Sequence, residues 1–71
     1  MNIGLFDVVK TLIDLPVAKK GTVGTIVEVW ESNELYEVEL VDSSGDTIDC
    51  VSLKPSDFAK LTDDEITKLK Y

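Results

Sequence analysis

Few residue types in this 71-residue chain could carry chemistry, and they fall into four groups. Asp42, Asp46 and Asp49 flank the run Ser43-Ser44-Gly45, where three carboxylates could hold a calcium ion. Their spacing departs from an EF-hand loop, and acids beside a glycine are what a hairpin tip uses for its own turn, so no metal is expected. Glu37 and Glu39 stand two apart on an extended stretch and share one face, as a general acid/base pair would. No pocket pattern surrounds them, and a solvated face accounts for both. Cys50 is the only cysteine, which excludes an intrachain disulfide and a cysteine metal cluster. Its neighbours Asp49 and Ser52 supply neither cation nor base, so it reads as a small buried hydrophobe on a strand. Lys19 and Lys20 could touch a phosphate, but two lysines ahead of a strand are ordinarily solvated. Histidine is absent, and with it the Ser-His and Cys-His nucleophile systems and imidazole metal ligation. The expectation is a non-enzyme with no catalytic residues, no metal and no cofactor.

Charge narrows the partners. Fourteen acidic residues stand against seven basic ones, a net charge of -7, and every basic residue is a lysine. Without arginine the chain lacks the planar fork that grips phosphate and guanine. An acidic surface repels a phosphate backbone and an anionic membrane alike, so neither nucleic acid nor membrane is expected as a partner, whereas a basic protein is. A single free thiol fits a reducing compartment. With no basic, then long apolar, N-terminal pattern and no stretch long enough to span a bilayer, the expectation is a soluble cytoplasmic protein.

The elements that must position these groups follow from turns and alternation. Lys20 to Trp30 organises the chain: a paired-glycine turn running into a β-branched strand from about Thr22 to Glu31. Val23, Thr25, Val27 and Val29 alternate onto one face, with Ile26 and Trp30 on the other. A strand apolar on both faces is buried on both or bends so that each half faces inward in turn, and Gly24 is the expected place for that bend or bulge. Before it, Leu5 to Ile13 reads as a strand stopped by Asp14-Leu15-Pro16, and Leu15 and Val17 are expected to fold back over the barrel mouth. After it comes a polar turn, Glu31-Ser32-Asn33-Glu34. Leu35 to Asp42 is then a strand with Tyr36, Val38 and Leu40 inward and Glu37 and Glu39 outward. A hairpin at Ser43 to Asp46 returns a strand from Asp46 to Leu53, with Ile48 and Cys50 expected inward and a bend near Val51. Pro55 to Phe58 is a single helical turn, and Phe58 to Leu61 a closing strand. Thr62-x-x-Glu65 is a capping box opening a two-turn amphipathic helix, with Lys68 and Lys70 in its last turn and Ile66 and Leu69 on one face. A helix so short must dock on its own barrel or on a partner.

Four to five short antiparallel strands with a short C-terminal helix predict a mainly β chain of the SH3-like barrel type, residues 1–61 forming the barrel and 62–71 the helix or tail. The pieces Asp7-Val8-Val9, Asp14-Leu15-Pro16, Gly21-x-x-Gly24-Thr25-Ile26-Val27-Glu28-Val29 and Tyr36-Glu37-Val38-Glu39-x-x-Asp42 resemble the bacterial family designated domain of unknown function 4926. The resemblance covers roughly Leu5 to Leu61. It implies a small SH3-like barrel, often encoded as a stand-alone protein, and supplies no catalytic residues. The Gly21-to-Val29 piece alone is also similar to the KOW motif, which implies RNA, though the basic residues of those modules are missing here.

Function is expected to be binding. Glu28, Glu37 and Glu39 form an acidic strand surface, and Trp30 and Tyr36 are candidate aromatic anchors, each with barrel core as its plainer reading. The leading expectation is a protein-interaction module for a basic protein. A sharper form is an antitoxin or immunity protein neutralising a basic toxin, and a lesser alternative is a KOW-like RNA-binding module using Lys19 and Lys20. An exposed strand edge could also make a homodimer.

Overall fold

The computed structural model describes residues 3–30 and 34–69. The expected polar turn at Glu31-Ser32-Asn33 and the expected contribution of Lys70 to the last helix lie outside them. Five antiparallel strands, β1 (Val8–Thr11), β2 (Val23–Trp30), β3 (Leu35–Val41), β4 (Thr47–Leu53) and β5 (Phe58–Lys60), form one open sheet in the order β4-β3-β2-β1-β5. A single 3-10 turn, Pro55–Asp57, separates the last two strands, and a helix α1, Asp63–Leu69, follows. The mainly β class, the proline turn, the short closing strand and the C-terminal helix are as the sequence predicts.

One core explains the curvature. Val9, Ile26, Tyr36, Val38, Leu40, Leu53 and Phe58 form a single buried cluster. Tyr36 on β3 and Phe58 on β5 have two strands, β2 and β1, between them in the sheet order, yet their rings meet edge-to-face with centroids 5.4 Å apart. The sheet therefore curls round its core face, with β4 and β5 as its two edges and no ladder between them among the described residues. Strand β3 shows the cleanest cause: Tyr36, Val38 and Leu40 are buried and Glu37 and Glu39 are not.

Two bulges set which residues face out. Between Ile26 and Glu28 the β2–β3 register shifts, leaving Val27 as the extra residue. Gly24 and Ile26 face the core before the shift, and Val29 packs on it afterwards. Each half of β2 thus faces inward in turn, but the break is at Val27, not at Gly24. Gly24 answers a different demand: a Cβ there would stand 2.6 Å from Val38 Cγ1 and 2.9 Å from the Glu39 carbonyl oxygen. Its bare backbone is what lets β2 lie against β3 at this point. The second shift separates the pairs Leu40–Asp49 and Val41–Thr47, leaving Ile48 unpaired. Slipping the alternation by one residue turns Val51 and Leu53 inward and leaves Ile48 and Cys50 exposed, so the expectation that Ile48 and Cys50 face inward is corrected.

The first strand is shorter than Leu5 to Ile13, because both ends are consumed by turns. At its start, the Asp7 amide donates to the Gly4 carbonyl (3.2 Å) and the Gly4 amide to Asp7 Oδ2 (2.8 Å). That turn puts Phe6 in the left-handed region (φ 69°), with the ring 75% exposed. At its end, the buried Thr11 hydroxyl donates to the Lys19 carbonyl (3.2 Å) and accepts from the Thr22 amide (3.1 Å). Leu15 and Ala18, not Leu15 and Val17, pack against the core from this loop, and Val17 is exposed.

Candidate acidic binding face

The convex side of the sheet carries the acidic residues, and strand pairing fixes their arrangement. Ile26–Val38 and Val29–Tyr36 are core pairs, so alternation sends the pairs Glu28–Glu37, Thr25–Glu39 and Trp30–Leu35 to the opposite face. Glu28 and Glu37 stand directly across from each other, an arrangement that costs stability in a sheet. On the β4 side, Glu37 Oε1 accepts from the Ser52 hydroxyl and Glu39 Oε2 from the Thr47 hydroxyl, each at 3.2 Å. These bonds draw the two carboxylates toward β4. Among the described residues the ion pairs are Lys10–Glu65 (3.8 Å) and Lys60–Asp7 (3.5 Å), and no lysine neutralises Glu28, Glu37 or Glu39.

The sequence explains that field. From Val23 to Leu53 the chain holds Glu28, Glu31, Glu34, Glu37, Glu39, Asp42, Asp46 and Asp49 and no lysine at all. The lysines all lie outside β2, β3 and β4. This segregation is readable from sequence alone, although a net charge hides it.

Beside the carboxylates, Trp30 (46% exposed) pairs with Leu35 (38% exposed), and the unpaired Val27 is exposed between Ile26 and Glu28. The Phe6 amide donates to the Ile26 carbonyl (2.7 Å), so the strained turn runs alongside the bulge. Trp30 is therefore available as an anchor. Tyr36 is not: it is 4% exposed and seated on Phe58, so it drops out of the candidate binding residues. The candidate site is Glu28, Trp30, Glu37 and Glu39, with two apolar additions: Val27, which the bulge takes out of the alternation, and Leu35, which the alternation of β3 sends to the same face.

Cys50 faces the same surface, opposite Glu39 in register. Partial screening of its sulfur by the sheet surface, then the charges of Glu39, Glu37 and Asp49, push the thiol above its ordinary range. A thiol so disposed is a poor nucleophile. Two of the three hairpin aspartates are occupied with backbone. Asp42 Oδ1 accepts from the Ser44 amide (2.9 Å) and the Asp46 amide (3.0 Å), and Asp49 Oδ1 accepts from the Cys50 amide (2.7 Å). No group of three metal-ligating side chains converges among the described residues. Lys19 and Lys20 are exposed, and their backbone closes the loop: the Lys20 amide donates to Asp14 Oδ1 (2.8 Å).

Helix α1 covers the other end of this face. The Thr62 amide donates to Glu65 Oε1 (3.0 Å) and the Glu65 amide to Thr62 Oγ1 (3.2 Å), the reciprocal capping box that the sequence predicts. Glu65 then reaches Lys10 on β1, and Leu69 borders, with Ile48, Val41 and Val23, an open hollow of about 490 Å³. The helix thus reaches its own sheet through Glu65 and Leu69 without burying a residue, and leaves the Glu28–Glu37–Glu39 region uncovered. No helix among the described residues is long and apolar enough to cross a membrane.

The family model described as "Domain of unknown function (DUF4926)" matches residues 5–60, and the chain belongs to that family. Comparison with curated proteins and with solved structures gives no match.

Proposed function

We propose that this protein is a non-catalytic binding module of the SH3-like type whose acidic convex face captures a basic protein. The observation that carries the reading is the unneutralised Glu28–Glu37 cross-strand pair, with Glu39 two residues on and Trp30 beside it. Like charges placed opposite each other weaken a fold of this size, and a cationic partner converts that cost into binding energy. The half-exposed indole adds an apolar contact at the rim of the carboxylates. The free thiol of Cys50 suits action in a reducing cytoplasm.

The test is a tagged pull-down from the native host at low and at high salt, with wild type beside the double variant Glu37→Lys/Glu39→Lys. The reading expects a basic protein retained at low salt by wild type only. Its retention by the folded double variant refutes this face as the site. A toxin as the captured protein would establish the antitoxin form of the same reading.

A further inference from the structure

We infer that the basic partner binds as an added β-strand along the open edge of β4, an inference that rests on the acidic-face reading and specifies its geometry. The two edges of the sheet are unlike. Strand β5 is three residues long, preceded by Pro55 and ended by Lys60, devices that discourage edge pairing. Strand β4 is seven residues long and contains no proline and no lysine. It pairs with β3 on one side only. The Cys50 amide donates to the carboxylate of the preceding Asp49 (2.7 Å), as an amide turned away from β3 does. In an antiparallel ladder a residue whose amide faces outward presents its carbonyl outward too, and so does its neighbour two positions on. Cys50 and Ser52 therefore offer two donors and two acceptors at the edge, with Asp49 Oδ1 holding the place of an incoming carbonyl.

Charge selects the occupant. Residues of an added strand that share the face of Cys50 and Ser52 lie about 10 Å, two strand spacings, from Glu39 and Glu37. Lysine or arginine side chains reach across that interval to carboxylates that project toward them. A second copy of this chain is the poorer occupant, because edge-to-edge pairing brings two acidic faces of a protein carrying -7 side by side. The partner is thus an extended basic segment with alternating cationic positions, bound by main-chain bonds for affinity and by side-chain charge for selection.

The test uses the full chain and a synthetic peptide of alternating lysine and valine, with the same peptide N-methylated at alternate residues as its control. Peptide binding is expected to slow hydrogen exchange at the Cys50 and Ser52 amides, and N-methylation to weaken it about tenfold or more. The variant Ser52→Pro, which removes an outward amide and no β3 backbone bond, is expected to lose binding similarly, whereas Ser52→Ala, which removes only the hydroxyl bond to Glu37, keeps it. Equal affinity for the two peptides with wild type overturns the edge inference while leaving the acidic-face reading standing. Edge protection that persists in Glu37→Lys/Glu39→Lys overturns the acidic-face reading instead. Protection of the same amides without peptide, together with a dimer in sedimentation, assigns the edge to a second copy and overturns the inference.

Discussion

Glu28 and Glu37 face each other across the β2–β3 ladder at the first register position beyond the Val27 bulge. Without the extra residue, the strict alternation of β2 would put Glu28 on the core side with Gly24 and Ile26. The bulge therefore creates the acidic pair as well as bringing Val29 onto the core.

That pair couples stability to binding in opposite senses. Glu28→Lys turns a like-charge cross-strand pair into an opposite one, worth about 0.2–1 kcal/mol of added stability. The urea midpoint rises while affinity for a basic partner falls. A midpoint that falls shows that the pair is not repulsive in the folded sheet.

Gly24 is tested by a single methyl. Gly24→Ala forces Val38 or the β3 backbone to move, a disruption of about 1–3 kcal/mol of the kind that overpacked sites show. Equilibrium denaturation reads it directly. A variant as stable as wild type means that β2 and β3 separate here at little cost.

Phe6 stores strain without the packing to justify it. A bulky residue at φ 69° costs about 1–2 kcal/mol, and an exposed ring regains little of it. Allowing for the unfolded-state entropy of glycine, Phe6→Gly stabilises the fold by about 0.5–1 kcal/mol. Loss of stability on thermal melting assigns the ring a packing role that its exposure does not show.

Helix α1 responds to acid through its cap. The Thr62 amide, then the Thr62 hydroxyl contact, hold the Glu65 carboxyl below the usual glutamate value, against a smaller opposing effect of burial and with help from Lys10 and Lys68. A carboxyl lowered on folding contributes stability that is complete above its unfolded value and disappears as pH falls through the folded one. Below about pH 4.5 the helix loosens from the sheet, and Glu65→Gln removes that step from a pH series of hydrogen exchange at Ile66.

The strands with unbroken alternation were legible, and the site was legible to the extent that it lies on them. Tyr36 to Leu40 needs only period two, so its inward and outward residues follow from the sequence. Strands β2 and β4 each contain one unpaired residue, Val27 and Ile48, and no residue type marks either. One slip of phase reverses every assignment beyond it, so strict alternation places Cys50 inside and gives Val27 no part in the acidic face. Gly24 drew attention to a bend for good reason, but glycine serves close approach as readily as curvature. Tyr36 illustrates a different limit: an aromatic beside a turn serves as anchor or core equally well until a partner such as Phe58 is located.

On the proposed reading a cationic segment settles on the face carrying Glu28, Glu37 and Glu39, and Trp30 is a built-in reporter for it. As the sole tryptophan, half exposed beside those carboxylates, it registers binding in its own emission. Titrating the alternating lysine–valine peptide is predicted to give a saturable blue shift that high salt abolishes and that Glu37→Lys/Glu39→Lys lacks. An emission that does not move, or one that moves equally in the folded double variant, contradicts the account.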